Sequence, residues 1–310
     1  MGAGTGGLLA GNHSLIPEYV FVHAARLRVL DATHNRIADL PDRFHAFKLN
    51  KLHLAHNQLR ALPPSLCLAV NTHPRRGGAA VERRHPTGRE DELTHPVKHF
   101  ETNLADALGL LSRWRLSKTL HLGEPGRMQT LTVLNLEHNR LAKIPEEVGS
   151  LRKLRRLEVH HNPLTELPAS VGELACLEFL NASHCELQCD DARDRSGLAA
   201  LGRCHALVEV HLEHNAVGCL PESLAGLRSL KMLFLDHNPL RTVSSAVLTG
   251  CVQLHTLSLV STNVAAEDMQ AVVGWSAFEQ RRQNKHSKQL AGNVLIGSKG
   301  FEDGLDHVMQ

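Results

Sequence analysis

The pattern L-x-x-L-x-L-x-x-N-x-L runs through this chain eight times in phase, and its asparagine position falls on Asn35, Asn57, Asn139, Asn162, Cys185, Asn215, Asn238 and Thr262. Most steps between these positions are 22 to 24 residues, a period at which each unit is one supersecondary element. Three units continue in near-identical terms, as IPEEVGSL (144–151), LPASVGEL (167–174) and LPESLAGL (220–227). A unit this short cannot cover its own apolar face. The units must therefore stack, each closing the core of its neighbour. That requirement overrides the expectation of about two domains that length alone would suggest.

Side chains alternate across a strand. Leu154, Leu157 and Val159 are therefore expected to point inward, and Arg156, Glu158 and His160 outward. An asparagine at the strand exit carries both donors and an acceptor, so it can satisfy the turning backbone of a stack. Cys185 replaces it with a weaker donor. The Pro after Leu or Ile starts the return segment, where a fixed φ helps and no ladder donor is needed. Residues such as Val171 and Leu174 then cover the core from the other side.

Composition agrees. The chain is 42% hydrophobic and leucine-heavy, with one Tyr and two Trp, as suits a long, narrow core. A net charge of +2 gives no reason to expect nucleic acid. The seven cysteines are odd in number and irregular in spacing, which reads as reduced thiols in an intracellular protein. The opening MGAGTGGLLAGNH has no basic stretch followed by an apolar one of signal length. No apolar run approaches the roughly 18 residues needed to span a membrane.

On these motifs, residues 27–65 and 128–264 resemble small intracellular leucine-rich-repeat proteins, the group that includes plant Ras-group-related repeat proteins. The segment WSAFEQRRQNKHSKQLAGNVLIGSKGFEDGLD (275–306) is similar to tails in that group and in leucine-rich repeat-containing protein 57. The resemblance implies an α/β fold, a leucine-rich-repeat solenoid (horseshoe) with a concave parallel β-sheet and convex short helices or turns. It also implies a protein-binding scaffold without an active site or cofactor.

Two breaks interrupt the period. Asn57 to Asn139 is 82 residues. The excess begins with NTHPRRGGAAVERRHPTGREDELTHP, which is rich in Pro, Gly and charge and reads as disordered. It continues as FETNLADALGLLSRWRLSKTL, with apolar residues at helical spacing. A species-specific loop, a gene-model error and a docking segment all fit it. The 30 residues from Cys185 to Asn215 hold CDDARDRSGLAALGRC (189–204), read as an acidic loop and a short convex helix. The expected organisation is a cap or partial repeat over 1–26, repeats over 27–66, an insertion over 67–127, repeats over 128–274, and a capping helix and tail over 275–310. Leu8, Leu9, Leu15 and Ile16 are candidates for the front cap, and Trp275 and Phe278 for the rear one. Beyond them Arg281, Arg282, Lys285 and Lys288 give a basic helix, read as a solvated face.

A histidine precedes the repeat asparagine position at His34, His56, His138, His161, His184, His214 and His237. A pH sensor and a metal ladder are conceivable. Zinc needs convergent ligands, however, and a column is collinear. The recurrence is read as duplication of one unit, and no metal site is assigned. GAGTGG satisfies G-x-G-x-x-G at Gly2, Gly4 and Gly7 without a preceding strand, and reads as a flexible terminus. Gly6 stands where a myristoylation motif at Gly2 needs Ser or Thr.

The surface left for function is the concave face. Its expected outward residues are Lys51, His53, Val133, Asn135, Glu137, Arg156, Glu158, His160, Phe179, Asn181, Ser183, Glu209, His211, Glu213, Met232, Phe234 and Asp236. Exposed Phe179, Met232 and Phe234 among charges have the composition of a binding patch. No catalytic constellation is found. The expectation is a monomeric cytoplasmic scaffold binding a protein partner, with no nucleic acid and no transmembrane segment. A regulatory subunit of a phosphatase or small-GTPase pathway is the alternative, as is a ciliary or cytoskeletal repeat protein.

Overall fold

The computed structural model describes residues 6–9, 11–24, 26–41, 44, 47–66, 130–189 and 197–295. The expectations for the insertion, for the acidic loop at 190–196, for Gly2 and Gly4 and for the tail beyond residue 295 lie outside the described residues.

Nine short strands form one parallel sheet. They are β1 (Gly6–Leu8), β2 (Val29–Asp31), β3 (Lys51–His53), β4 (Val133–Asn135), β5 (Arg156–Glu158), β6 (Phe179–Asn181), β8 (Glu209–His211), β10 (Met232–Phe234) and β11 (Thr256–Ser258). They lie in that sequence order, so every crossover returns to the next position. Two further strands, β7 (Gln188–Cys189) and β9 (Ala216–Val217), pair in a separate parallel ladder. The solenoid expected from the repeat is the observed architecture. β1 is an addition: Gly6 and Gly7, read as part of a flexible terminus, pair with Val29 and Leu30.

The register is uniform. Leu52, Leu134, Leu157, Leu180, Val210 and Leu233 face one another along the sheet and are all buried. Behind them the return segments turn as short 3-10 helices, three of which begin directly after Pro145, Pro168 and Pro221. Their Val148, Val171 and Leu224 close the core from the far side. Each proline sits where its missing N–H costs nothing. The helical layer stacks closely enough that a Cβ on Gly202 would lie 2.1 Å from the Ser223 carbonyl oxygen.

The repeat asparagines form a second ladder inside the turn. Asn162 donates from Nδ2 to the carbonyls of Leu136 (3.0 Å), Val159 (2.8 Å) and His160 (3.3 Å), and its Oδ1 accepts from Leu141 N–H at 3.0 Å. Asn57, Asn139, Asn215 and Asn238 repeat this arrangement. Each side chain thus ties its own turn to the preceding repeat. Cys185 reaches the equivalent carbonyls, Val159 and Ser183, only at 3.6 and 3.5 Å.

Helix α1 (Glu18–Val22) lies at the front. Leu9 and Ile16 are buried there, whereas Leu8 is 71% and Leu15 63% exposed, so only half of the expected front cap enters the core. The strand and its turn point alternate residues to solvent. Helix α2 (Gly197–Ala200) lies within the second break, where a short helix is expected, and α3 (Ser245–Gly250) and α4 (Ala266–Ala271) follow later. Helix α5 (Trp275–Leu295) closes the rear with Phe278 buried and Trp275 half-buried against the core. Its basic residues are not all solvated. Arg281 donates to the carbonyls of Leu254 (2.8 Å) and Leu248 (3.2 Å), and Lys285 to Thr256 Oγ1 (3.1 Å). Arg281 therefore covers carbonyls that the last repeat would otherwise expose.

Candidate interaction surface

Pairing between strands aligns the outward side chains in rows. Lys51, Val133, Arg156, Phe179, Glu209 and Met232 form one row, and His53, Asn135, Glu158, Asn181, His211 and Phe234 the next. Glu137, His160, Ser183, Glu213 and Asp236 follow two residues farther along each chain segment. Lys51 and Arg156 are exposed, and the others are half-buried except Ser183, which is buried at 8% exposure. Ser183 was expected to face outward; it folds back instead, its hydroxyl donating to Asn181 Oδ1 at 2.9 Å.

Two of the three apolar residues of the patch, Phe179 and Phe234, are less naked than their sequence suggests. The Arg156 guanidinium lies 3.6 Å from the centroid of Phe179. Phe179 in turn lies 5.5 Å from the His211 ring, which stacks on Phe234 at 4.5 Å and 13°. Charged and aromatic groups thus form one continuous run, Arg156–Phe179–His211–Phe234, diagonally across four strands. A cation over a ring face is attracted by the ring quadrupole.

Two histidines on this face have their pKa values pushed in opposite directions. His211 lies between Glu213 Oε1 (2.9 Å) and Glu209 Oε1 (2.7 Å). Burial disfavours its charge, but hydrogen bonds to Glu213 and then Glu209 outweigh that and raise its pKa. The doubly protonated ring can donate to both carboxylates. His160 Nε2 lies 2.8 Å from Glu137 Oε2, while its Nδ1 is buried without a hydrogen bond. There burial dominates and lowers the pKa despite Glu137 and Glu158. Glu158 also pairs with Arg156. Asp236 reaches sideways to the neighbouring repeat, accepting from Ser258 Oγ and Val260 N–H at 2.6 and 2.7 Å.

Beside these rows runs the histidine column. His34, His56, His138, His161, His184, His214 and His237 all have φ between 50° and 56°. This left-handed region is closed to most side chains and is enriched in Asn, Asp and His. Successive rings stack at 4.3, 4.3, 4.0, 4.3, 4.1 and 4.2 Å, with planes 10° to 15° apart. Each backbone N–H extends the ladder to the next repeat, as in His138 to the His160 carbonyl at 3.0 Å. The sequence shows the recurrence but not this reason for it; the enrichment of histidine at left-handed positions is the signal that could have supplied it. Burial and the neighbouring imidazoles His138 and His184 push His161 down to about 4. Burial, followed by neighbouring rings, also lowers His56 and His184.

A family model described as a leucine-rich repeat region matches residues 107–286, more than half of the chain. This chain belongs to the leucine-rich-repeat family. The match begins within the segment read as an insertion. Among leucine-rich-repeat relatives, an LRR repeats and ubiquitin-like domain-containing protein of Arabidopsis thaliana is 39% identical over 66 residues, covering 21% of this chain and 17% of that protein. Plant intracellular Ras-group-related LRR protein 7 of Oryza sativa subsp. japonica is 32% identical over 60 residues, covering 19% and 23%. The alignments therefore span less than a quarter of either relative. The solved plant peptide hormone receptor RGFR1 in complex with RGF2 shares the fold at 18% identity and a TM-score of 0.52, covering 81% of this chain and 31% of that one. An internalin (inlF) from Listeria monocytogenes does so at 15% and 0.52, covering 82% and 52%. Among the described residues no helix is long and apolar enough to cross a membrane.

Proposed function

We propose that this leucine-rich-repeat chain is a non-enzymatic scaffold that binds a protein partner through its concave sheet face. The observation that supports this most is the run Arg156–Phe179–His211–Phe234, flanked by Met232 and by the carboxylates of Glu158, Glu209 and Glu213. It offers aromatic area with a polar rim, the composition of a protein contact. Lys51, His53, Asn135, Glu137, His160, Asn181 and Asp236 extend the same surface. The chain acts as a monomer in the cytoplasm, in a signalling setting consistent with the name of its intracellular rice relative. Regulation of a phosphatase or a small GTPase would use the same face. The repeats occupy 27–66 and 128–274, and residues 67–127 are an insertion between them.

Affinity purification with mass spectrometry tests the reading. Wild type is compared with a Phe234→Arg, Arg156→Glu double variant, after circular dichroism shows that both fold. A partner recovered by wild type and lost by the variant is the expected result. Recovery of the same partners by both would refute the concave-face assignment.

A further inference from the structure

Past the asparagine ladder, β7 and β9 pair with Gln188 opposite Ala216 and Cys189 opposite Val217. The chain leaves β9 through Gly218 to Cys219, and both N–H groups donate to the Cys189 carbonyl, at 2.9 and 3.0 Å. This backbone clamp sets two thiols side by side, with their sulfurs 3.5 Å apart. They belong to the fifth and sixth repeats and are the one pair of sulfurs in contact among the described residues. Cys189 is buried, and Cys219 is half-buried.

We propose that Cys189 and Cys219 are a redox-modification site, closing to a reversible disulfide when the chain meets a peroxide. A disulfide needs its sulfurs about 2.05 Å apart. Each side chain therefore moves by less than an ångström if both turn, and the backbone clamp already holds their Cα positions. Cys219, on the solvent side, attacks first as its thiolate. A sulfur–oxygen bond forms, the peroxide O–O bond breaks, and hydroxide leaves and takes a proton to become water. The Cys189 sulfur then attacks the sulfenic sulfur; the S–S bond forms, the S–O bond breaks, and a second water leaves with the Cys189 proton. Two thiols lose one electron each, and one peroxide is reduced to two waters. Such condensation of a sulfenic acid with a neighbouring thiol outruns further oxidation when the second thiol is in contact.

The other described cysteines lack this arrangement. Cys185, Cys204 and Cys251 are buried. Burial pushes each up to about 11; each donates to a carbonyl, Val159, Val171 and Leu224 respectively, as Cys219 does to that of Cys189, so burial and the lack of a facing sulfur are what set them apart. They remain thiols at neutral pH and are poor nucleophiles. Cys176 is half-buried and serves as an accessible control without a resolving partner among the described residues.

The test uses the full chain. It is treated with hydrogen peroxide at near-equimolar amounts, alkylated with iodoacetamide, digested without reductant and mapped by mass spectrometry. The expected product is a cross-linked peptide joining Cys189 to Cys219, lost on addition of dithiothreitol and absent from Cys219→Ser. Cys219 is half-buried, so that variant keeps its fold, which circular dichroism checks. Cys189→Ser, at a buried site, is the second variant and should leave Cys219 oxidised but not cross-linked. Recovery of both cysteines as alkylated thiols after peroxide would overturn the proposal. Conversion of Cys219 in the wild type to its sulfinic acid, or cross-links between chains in place of the internal one, would do the same.

Discussion

His161 lies flat against His138, with ring centroids 4.0 Å apart and planes 13° apart, the tightest step in a stack of seven imidazoles. The groups facing it are His138, His184 and His160, which oppose its protonation, and Glu137, which favours it. Its pKa falls from 6.5 to about 4 on folding. The unfolded chain therefore takes up this proton first as pH falls. The sign follows from linkage: the contribution is whole above about pH 6.5 and is lost progressively as pH falls toward about 4. His56 and His184 act in the same direction. His211, whose pKa is raised, acts oppositely; its contribution is whole below 6.5 and is lost as pH rises through its folded value. Melting temperature measured from pH 7 to pH 4 is expected to fall, and to fall less steeply in His161→Asn. Identical slopes would show that the stack does not carry the acid sensitivity.

The left-handed backbone of the column sets a second expectation. His138 has φ 50°, where a β-branched residue is strained. His138→Val should lose about 1–3 kcal/mol, while His138→Asn and His138→Gly, which accept this conformation, should lose markedly less. Urea midpoints of the three variants decide it. A valine variant as stable as the asparagine one would mean that the turn relaxes at no cost.

Asparagine and cysteine at the same ladder position allow a matched pair of substitutions. Asn162→Ala takes the acceptor from the Leu141 N–H in a buried turn and removes one donor from each of the carbonyls of Leu136, Val159 and His160, which keep a second; it is expected to cost about 1–3 kcal/mol. Cys185→Asn restores the bonds its neighbours already make, and should gain about 1 kcal/mol. Equilibrium denaturation of both variants tests the ladder from each side.

At the rear cap, Arg281→Ala removes two charge-assisted bonds to the carbonyls of Leu248 and Leu254. The expected loss is about 1.5–3 kcal/mol, concentrated at the end of the solenoid. Hydrogen exchange should quicken first in α5 and around β11, with β4 to β6 unchanged. A uniform increase along the chain would show that the cap is not a separate stabilising element.

The leucine spacing made the sheet legible. Leu134, Leu157 and Leu180 lie in the row that alternation predicts, because a period of two leaves one way to bury them. The asparagine ladder was legible for the same reason: few side chains can serve both a donor-poor and an acceptor-poor turn. β1 was not, since Gly6 and Gly7 carry no side-chain pattern and pair only because β2 offers an open edge. The sign of φ at the histidines is likewise unwritten in hydrophobic periodicity. On the candidate face, alternation placed Phe179 and Phe234 on the outer surface, but it says nothing about lateral neighbours. Arg156 and His211 cover those rings through contacts between repeats.

His56 and His138 stack at 4.3 Å, the same spacing as His34 and His56, although 82 residues separate the first pair and 22 the second. β3 and β4 pair in full register across that interval. Lengthening a closed loop by that ratio costs only about 1 kcal/mol in chain entropy, so the stack counts its members by contact and not by the length of chain between them. By the same arithmetic, a foreign domain whose ends lie close together, spliced between the second and third repeats, is expected to leave the pairing of β3 with β4 in place and to ride on the solenoid as a passenger.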